Sequence, residues 1–478
     1  MISRALAAAM LMSAATIGVT HAQTPPPPPS PTPAPTGHTA LYFQFGQSNA
    51  VGVAPLTQLP QSADFSTGPR PIQEVHVFSG SGTASLYRLR NLNYVRTAAE
   101  RVTDSIDGSI TGPRGETVVL ANAKAFDIAL SSLVGVAETV RDGYNTAASK
   151  VVFFKVAQGG TFLTAQDPYA TPIEGGGVYR NGRRAIVKWM RGYVDAEVKA
   201  GRGVAMQIAK LDQGGAEAVE AERNGEIVSA RMLGWSSLLR ERIYPYYVEK
   251  FGVAFPLLIP QMLLIRTEND PGAPLEPQTE AQNAIEEGAC RYTVNIDANG
   301  AIIDVIDNGA SPTRLDHAYF LKHGRTERSL TEVHTSYPLA RVFGIARTNV
   351  QRHIEAGDQG LTRYAITRIA PVIMQYSSGN VTSSRIAVDI AIDETSKVTF
   401  LALPTGATPP TVTTVKLTGR TYTVKVDANG NPYSQRFNVY PLQPNTAYDV
   451  YAVATDPKFG HTGSVYKVGT NVRTLPRL

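Results

Sequence analysis

Ala40-Leu41-Tyr42-Phe43 leads into Phe45-Gly46-Gln47-Ser48-Asn49-Ala50, and the reading of that junction decides the fold. The apolar run reads as a buried strand. Gly46 permits a tight exit, and the strand leaves the Ser48 hydroxyl at its carboxyl end. In open α/β sheets that end is where ligands collect. By itself a serine after a strand is weak evidence, because most such serines are turn residues that bond their own backbone. A base and an oxyanion hole must come from elsewhere in the chain.

Working outward, apolar runs alternate with helical patterns. Gln73 to Phe78 has strand character, and Leu120 to Val140 carries apolar residues at helical spacing. Lys150 to Val156 is a near-continuous apolar run, as expected of a strand buried on both faces, and it ends in Ala157-Gln158-Gly159-Gly160-Thr161. Helices are expected over Arg183–Lys199, Ser229–Val248, Pro277–Glu287 and Tyr337–Ile354. Gly203–Lys210 and Ala301–Ile306 read as strands, the former running into Leu211-Asp212-Gln213-Gly214. Such alternation implies a parallel sheet covered on both faces, with residues 38–360 as one α/β domain. Three strand ends carry polar or glycine-rich blocks: Ser48, Gly159-Gly160 and Gln213-Gly214.

After about Leu361 short Thr- and Val-rich segments take over: Arg385–Ile392, Lys397–Leu403, Thr411–Leu417, Thr421–Val426, Ala447–Ala454 and Val465–Val472. With turn signals at Pro404-Thr405-Gly406 and Asp427-Ala428-Asn429-Gly430, residues 365–478 read as an all-β sandwich. Leu442-Gln443-Pro444-Asn445-Thr446-Ala447-Tyr448 resembles the late-strand region of a fibronectin type III domain, a class of module that binds or spaces.

At the other end, Arg4, the apolar run Ala5–Val19 and Thr20-His21-Ala22 form a secretory signal pattern over residues 1–22. The apolar run is too short for a membrane span, and no other segment is long enough to cross. Export to the periplasm or the medium is expected, with no integral membrane segment after cleavage. Residues 23–37 are a Pro-rich, semi-rigid linker. The single cysteine, Cys290, allows no intramolecular disulfide and reads as a small buried hydrophobe. The chain is 43% hydrophobic and 18% charged, a globular balance. Its formal charge of +5 is scattered with no Lys/Arg-rich block, so a nucleic-acid partner is not expected.

Four short blocks then align in order. Gly46-Gln47-Ser48-Asn49, Gly159-Gly160-Thr161, Asp212-Gln213-Gly214-Gly215-Ala216-Glu217 and His334 resemble, over roughly residues 38 to 352, the SGNH-type hydrolases of the sialate O-acetylesterase and acetyl xylan esterase branch. The resemblance implies a three-layer α/β/α, flavodoxin-like domain and an acetylated carbohydrate or polysaccharide substrate. It implies Ser48 as nucleophile, His334 as general base, and an oxyanion hole of the Ser48 N–H, the Gly160 (or Gly159) N–H and the Gln213 side-chain amide. A serine hydroxyl is a poor nucleophile until a base takes its proton, and histidine titrates near working pH. No metal or other cofactor is required, and no cluster with ligand spacing stands out.

This sequence departs from the family twice. Where the family has an aspartate three residues before its histidine, this chain has Thr331, leaving Glu332 or Asp316 (or neither) to orient His334. The glutamate of the family's Gln-Gly-Glu segment is Gly215. A second reading is a protein that binds acetylated polysaccharide with little or no turnover; a third and weaker one is a lipase or thioesterase.

Overall fold

The computed structural model describes residues 38–47, 76–81, 83–88, 109–111, 117–119, 148–157, 161–169, 187, 190–259, 284–285, 288–309, 314–323, 337–356, 364–366, 368–428 and 430–477. Ser48, Gly160 and His334 lie outside these residues, as do Gly159, Thr331, Glu332, the signal pattern, the Pro-rich linker and the expected helix Leu120–Val140.

The strand read from Ala40–Phe43 is β1, His38–Gly46. Its neighbours are β6, Ala148–Ala157, on one side and β7, Val204–Asp212, on the other, both parallel to it. Between β1 and β6 in sequence lie two small hairpins, β2 (His76–Ser81) with β3 (Thr83–Arg88) and β4 (Ser109–Thr111) with β5 (Thr117–Val119). Beyond β7 come β8 (Leu257–Ile259), β11 (Leu315–His323), β9 (Cys290–Ile296) and β10 (Ile302–Asp307), in the order β10-β9-β11-β8-β7-β1-β6.

Both faces of this sheet are covered, because β1 is buried along its length and its side chains alternate. Phe43 and Phe45 pack on Tyr247, and Phe43 also packs on Phe251. On the opposite face Tyr42 lies under the Arg347 guanidinium, 5.1 Å from its ring centroid. The first face is covered by helix 190–199 (α1) and by a continuous helical stretch. That stretch comprises α3 (Val228–Leu238), a π-helical turn at Leu239–Ile243 and α4 (Tyr244–Phe251), preceded by the short α2 (Gly215–Arg223). The second face is covered by α5, Tyr337–Ala356.

The sheet is mixed rather than wholly parallel. β10 runs antiparallel to β9, and a two-residue strand, β12 (Tyr364–Ala365), runs antiparallel to β7. The β9–β10 connection is a tight turn at Asp297-Ala298-Asn299-Gly300, so no crossover helix is needed. Asp297 Oδ1 accepts from the Asn299 and Ala301 N–H groups, and Gly300 has φ +84°. A Cβ at Gly300 would sit 2.6 Å from the Val342 carbonyl oxygen on α5, so the turn requires glycine for space as well as conformation.

The C-terminal unit packs two antiparallel sheets over one core. One holds β13 (Ile373–Val381), β14 (Ile386–Ile392) and β17 (Gln435–Val439). The other holds β16 (Arg420–Val424), β15 (Ser396–Pro404), β18 (Ala447–Thr455) and β19 (Tyr466–Arg473). The expected strand Thr411–Leu417 is instead a helix, α6 (Val412–Thr418). Thr411 caps it by accepting from the Thr414 N–H at 3.1 Å, and only Val415 is buried, so the β-branched run packs by one residue per turn.

The two units are joined through a buried ionic cluster. Arg191 on α1 donates to both Glu394 carboxylate oxygens, to Asp456 at 3.0 Å, and through Nε to the Ile369 carbonyl at 2.8 Å. Lys250 on α4 donates to Asp393 and Glu394, and the Tyr246 hydroxyl to Asp393 at 2.9 Å. Glu249 accepts from the Ser464 N–H and hydroxyl, at 3.0 and 2.9 Å. Arg191 and Lys250 are 3% and 1% exposed, so these are interior pairs rather than surface ones. Burial would raise the Glu394 carboxyl, but Lys250 and Arg191 outweigh it and hold it at about 2. Burial pushes the Asp393 carboxyl up, against the attraction of Lys250.

Candidate functional site

Register brings the ends of the strands that lead into three of the four sequence blocks to one rim. Gly46 at the end of β1 pairs with Ala157 at the end of β6 and with Asp212 at the end of β7. The chain therefore leaves all three strands at the same level, on the carboxyl side where α/β sheets place their ligands. Gly46 has φ +143°, a backbone that side chains rarely adopt, which accounts for glycine at that turn. Gln47 follows it, buried.

The segment after the Gly159-Gly160 block folds across this rim. It forms a single 3₁₀ turn, Leu163–Gln166, and is fastened on both sides. Gln166, fully buried, donates from Nε2 to the Gly46 carbonyl at 3.1 Å, tying the segment to the residue two before Ser48. The Leu163 N–H donates to Glu217 on α2. Gln213, also buried, donates from Nε2 to the Thr161 carbonyl at 2.6 Å. Farther along, Asp167 pairs with Arg242 at 2.9 Å, and the Arg242 guanidinium stacks 5.2 Å from the Tyr169 ring.

Three atoms of this arrangement are unsatisfied. Gln166 Oε1, Gln213 Oε1 and Glu217 Oε2 are buried and have no hydrogen-bond partner among the described residues. An orphaned buried acceptor costs about 1–3 kcal/mol. Burial pushes the Glu217 carboxyl up, opposed by the Leu163 N–H, its own N–H and the Gln213 side chain.

Of the expected site residues, Gln213 is at this rim; Ser48, Gly160 and His334 fall outside the described residues. The helix that follows His334, α5, is tied to β1 by Arg347, which stacks on Tyr42 and donates to the Phe43 carbonyl at 3.4 Å. Asp316, one of the two acids considered as an orienting partner for His334, is not at the rim. It stands at the start of β11, where parallel pairing through β8 and β7 puts it level with Leu41. That is five residues below Gly46, or about 16 Å along the strands. Its carboxylate is exposed and faces Arg291 at 3.5 Å. The neighbouring His317 is half-buried, and burial pushes its imidazole down against the charge of Asp316.

Gln166 carries no sequence signal: it belongs to no motif, and its partner is 120 residues away. The Glu217 role has a weak one, since it closes the Gln213-Gly214-Gly215-Ala216-Glu217 block. Among the described residues no helix is long and apolar enough to cross a membrane, and no group of His, Cys, Asp and Glu is placed to hold a metal ion.

No protein-family model matches the chain, and no curated protein matches it. Among solved structures, a protein from Arabidopsis thaliana aligns with 67% of this chain and 99% of its own, at 10% identity and a TM-score of 0.32. The sensor domain of the anti-sigma factor RsgI4 of Pseudobacteroides cellulosolvens, in a long form, aligns with 23% of this chain and 90% of its own, at 12% identity and a TM-score of 0.15. Its short form aligns with 22% and 94%, at 11% identity and the same TM-score of 0.15.

Proposed function

We propose that this chain is an exported serine esterase of the SGNH type that removes O-acetyl groups from carbohydrates, with a fibronectin type III-like sandwich at its C-terminus. One observation carries the reading: Gly46, Ala157 and Asp212 end their strands in register, so the strands that lead into Ser48, Gly160 and Gln213 end side by side. The Ser48 hydroxyl attacks the acetyl carbonyl while His334 takes its proton. The tetrahedral oxyanion is held by backbone N–H groups of the Ser48 and Gly160 blocks, and by the Gln213 amide once it turns from the Thr161 carbonyl. His334 returns the proton to the departing sugar oxygen, leaving an acetyl ester on Ser48. Water, deprotonated by the same histidine, then releases acetate. With Asp316 far from the rim, Glu332 is the acid assigned to orient His334. The sandwich reading is supported by the Tyr448 hydroxyl, which accepts from the Gln443 N–H at 2.9 Å across a corner, as such domains do.

The test is acetate release from an aryl acetate by the mature protein beside Ser48→Ala and His334→Ala. Turnover lost in both variants is the expected result; turnover unchanged in Ser48→Ala overturns the mechanism. A second reading, binding of acetylated polysaccharide without turnover, is favoured by Thr331 and by the engagement of Gln213 Nε2 with Thr161. Affinity for acetylated polysaccharide in a protein that releases no acetate selects it.

A further inference from the structure

The joint between the two units encloses a cavity of about 330 Å³, within the range of small-molecule pockets. Each unit supplies part of its wall. Pro168, Val187 and Tyr246 come from the first, and Pro432, Lys458 and Phe459 from the sandwich. Charged side chains also line it: Arg191, Lys250 and Lys458 against Asp393, Glu394 and Asp456, so that cations and carboxylates balance. The most deeply buried of these are fixed by one another, as described above. Two reach the open side, Glu394 while still bonded to Arg191 and Lys250. Glu394 is 22% exposed. Lys458 is exposed, forms no ion pair among the described residues, and holds its ammonium 5.0 Å from the Phe459 ring centroid.

We infer that this cavity is a second carbohydrate site, taking a neutral sugar residue. Balanced charge disfavours a strongly ionic ligand, since either sign would meet its like at short range. Hydroxyl groups suit the surface because each one both donates, to Glu394 or Asp456, and accepts, from Lys458. Tyr246, Phe459 and the two prolines offer flat apolar surface to the C–H face of a sugar ring. The cavity exists only where the units meet, which gives the sandwich a role in substrate capture beyond spacing. The choice of a sugar rests on the esterase reading; the cavity and its charge balance do not.

Calorimetry and saturation-transfer NMR with xylobiose, cellobiose and chitobiose, and with digalacturonate as the charged counterpart, test this on the mature chain. At least one neutral disaccharide is expected to bind, equally well to Ser48→Ala. Phe459→Ala and the exposed Lys458→Ala are expected to weaken that binding tenfold or more while leaving aryl acetate turnover and melting temperature unchanged. Absence of binding by every neutral disaccharide overturns the inference, as do preference for digalacturonate and affinity unaltered in both variants. Failure of the esterase reading shows separately, as absent aryl acetate turnover in the parent protein.

Discussion

At the carboxyl rim of the sheet, Gln166 and Gln213 are buried amides that each give a hydrogen bond to a backbone carbonyl and leave Oε1 without a partner among the described residues. At the joint between the units, Arg191, Lys250, Asp393 and Asp456 are buried charges and Glu394 is a partly buried one, each bonded to its opposite. Unpartnered buried atoms are not confined to the rim, since Trp235 Nε1 and His317 Nδ1 also lack a partner among the described residues. Those of Gln166 and Gln213 are set apart by their place beside Gly46 and Thr161, where the proposed chemistry occurs. The joint is built for one fixed arrangement; we propose that the rim is built for an occupant.

The largest expected effect breaks that contrast at its chemical side: Ser48→Ala removes aryl acetate turnover, and circular dichroism and melting temperature stay as in the parent. Next, Lys250→Met breaks it at the structural side. It leaves Asp393 without a cation and Glu394 with Arg191 alone, and we expect a loss of about 3–5 kcal/mol in urea unfolding with little change in the rate per folded molecule. Gln166→Ala sharpens the comparison, because it acts on the rim without touching the joint. Freeing the Gly46 carbonyl misplaces Ser48, and kcat is expected to fall about a hundredfold with KM nearly unchanged. A stability loss like that of Lys250→Met, with kcat intact, would assign Gln166 to the fold instead.

Acid separates the two regions further. The Glu394 carboxyl is held at about 2, below its ordinary 4.5. Its contribution is therefore fully present above pH 4.5 and is lost as pH falls toward 2. Asp393, raised by burial, has the opposite sign and regains stability on protonation. Glu394→Gln is expected to be less stable than the parent at pH 7 and to lose less between pH 4.5 and 2, as read by urea unfolding at each pH. The smallest effect belongs to Tyr448→Phe, which loses one corner hydrogen bond, about 1 kcal/mol, without altering turnover.

The rim was legible because β1, β6 and β7 are apolar runs that stop at Gly46, Gly159-Gly160 and Gln213-Gly214. Apolarity reports a strand buried on both faces, and its abrupt end reports the edge. β11 was missed because Asp316, His317 and Lys322 interrupt Leu315–His323, and its polar residues lie at the strand ends where solvent reaches them. The β9–β10 hairpin did carry a signal, Asn299-Gly300 between alternating residues, but an α/β expectation favours crossovers over hairpins. Arg191 and Lys250 look like solvent-facing helix positions, and nothing local distinguishes them: their partners are 143 to 265 residues away. Gln166 is invisible for the same reason. Its meaning comes from the Gly46 carbonyl, and a backbone atom leaves no mark in the sequence.

The most direct test of the central claim is covalent: treat the mature protein with a fluorophosphonate, digest it, and map the adduct by mass spectrometry. A nucleophilic serine activated by His334 predicts labelling at Ser48, slowed strongly in His334→Ala and absent in Ser48→Ala. An unlabelled Ser48 in a folded protein, or labelling at another residue alone, would contradict the account.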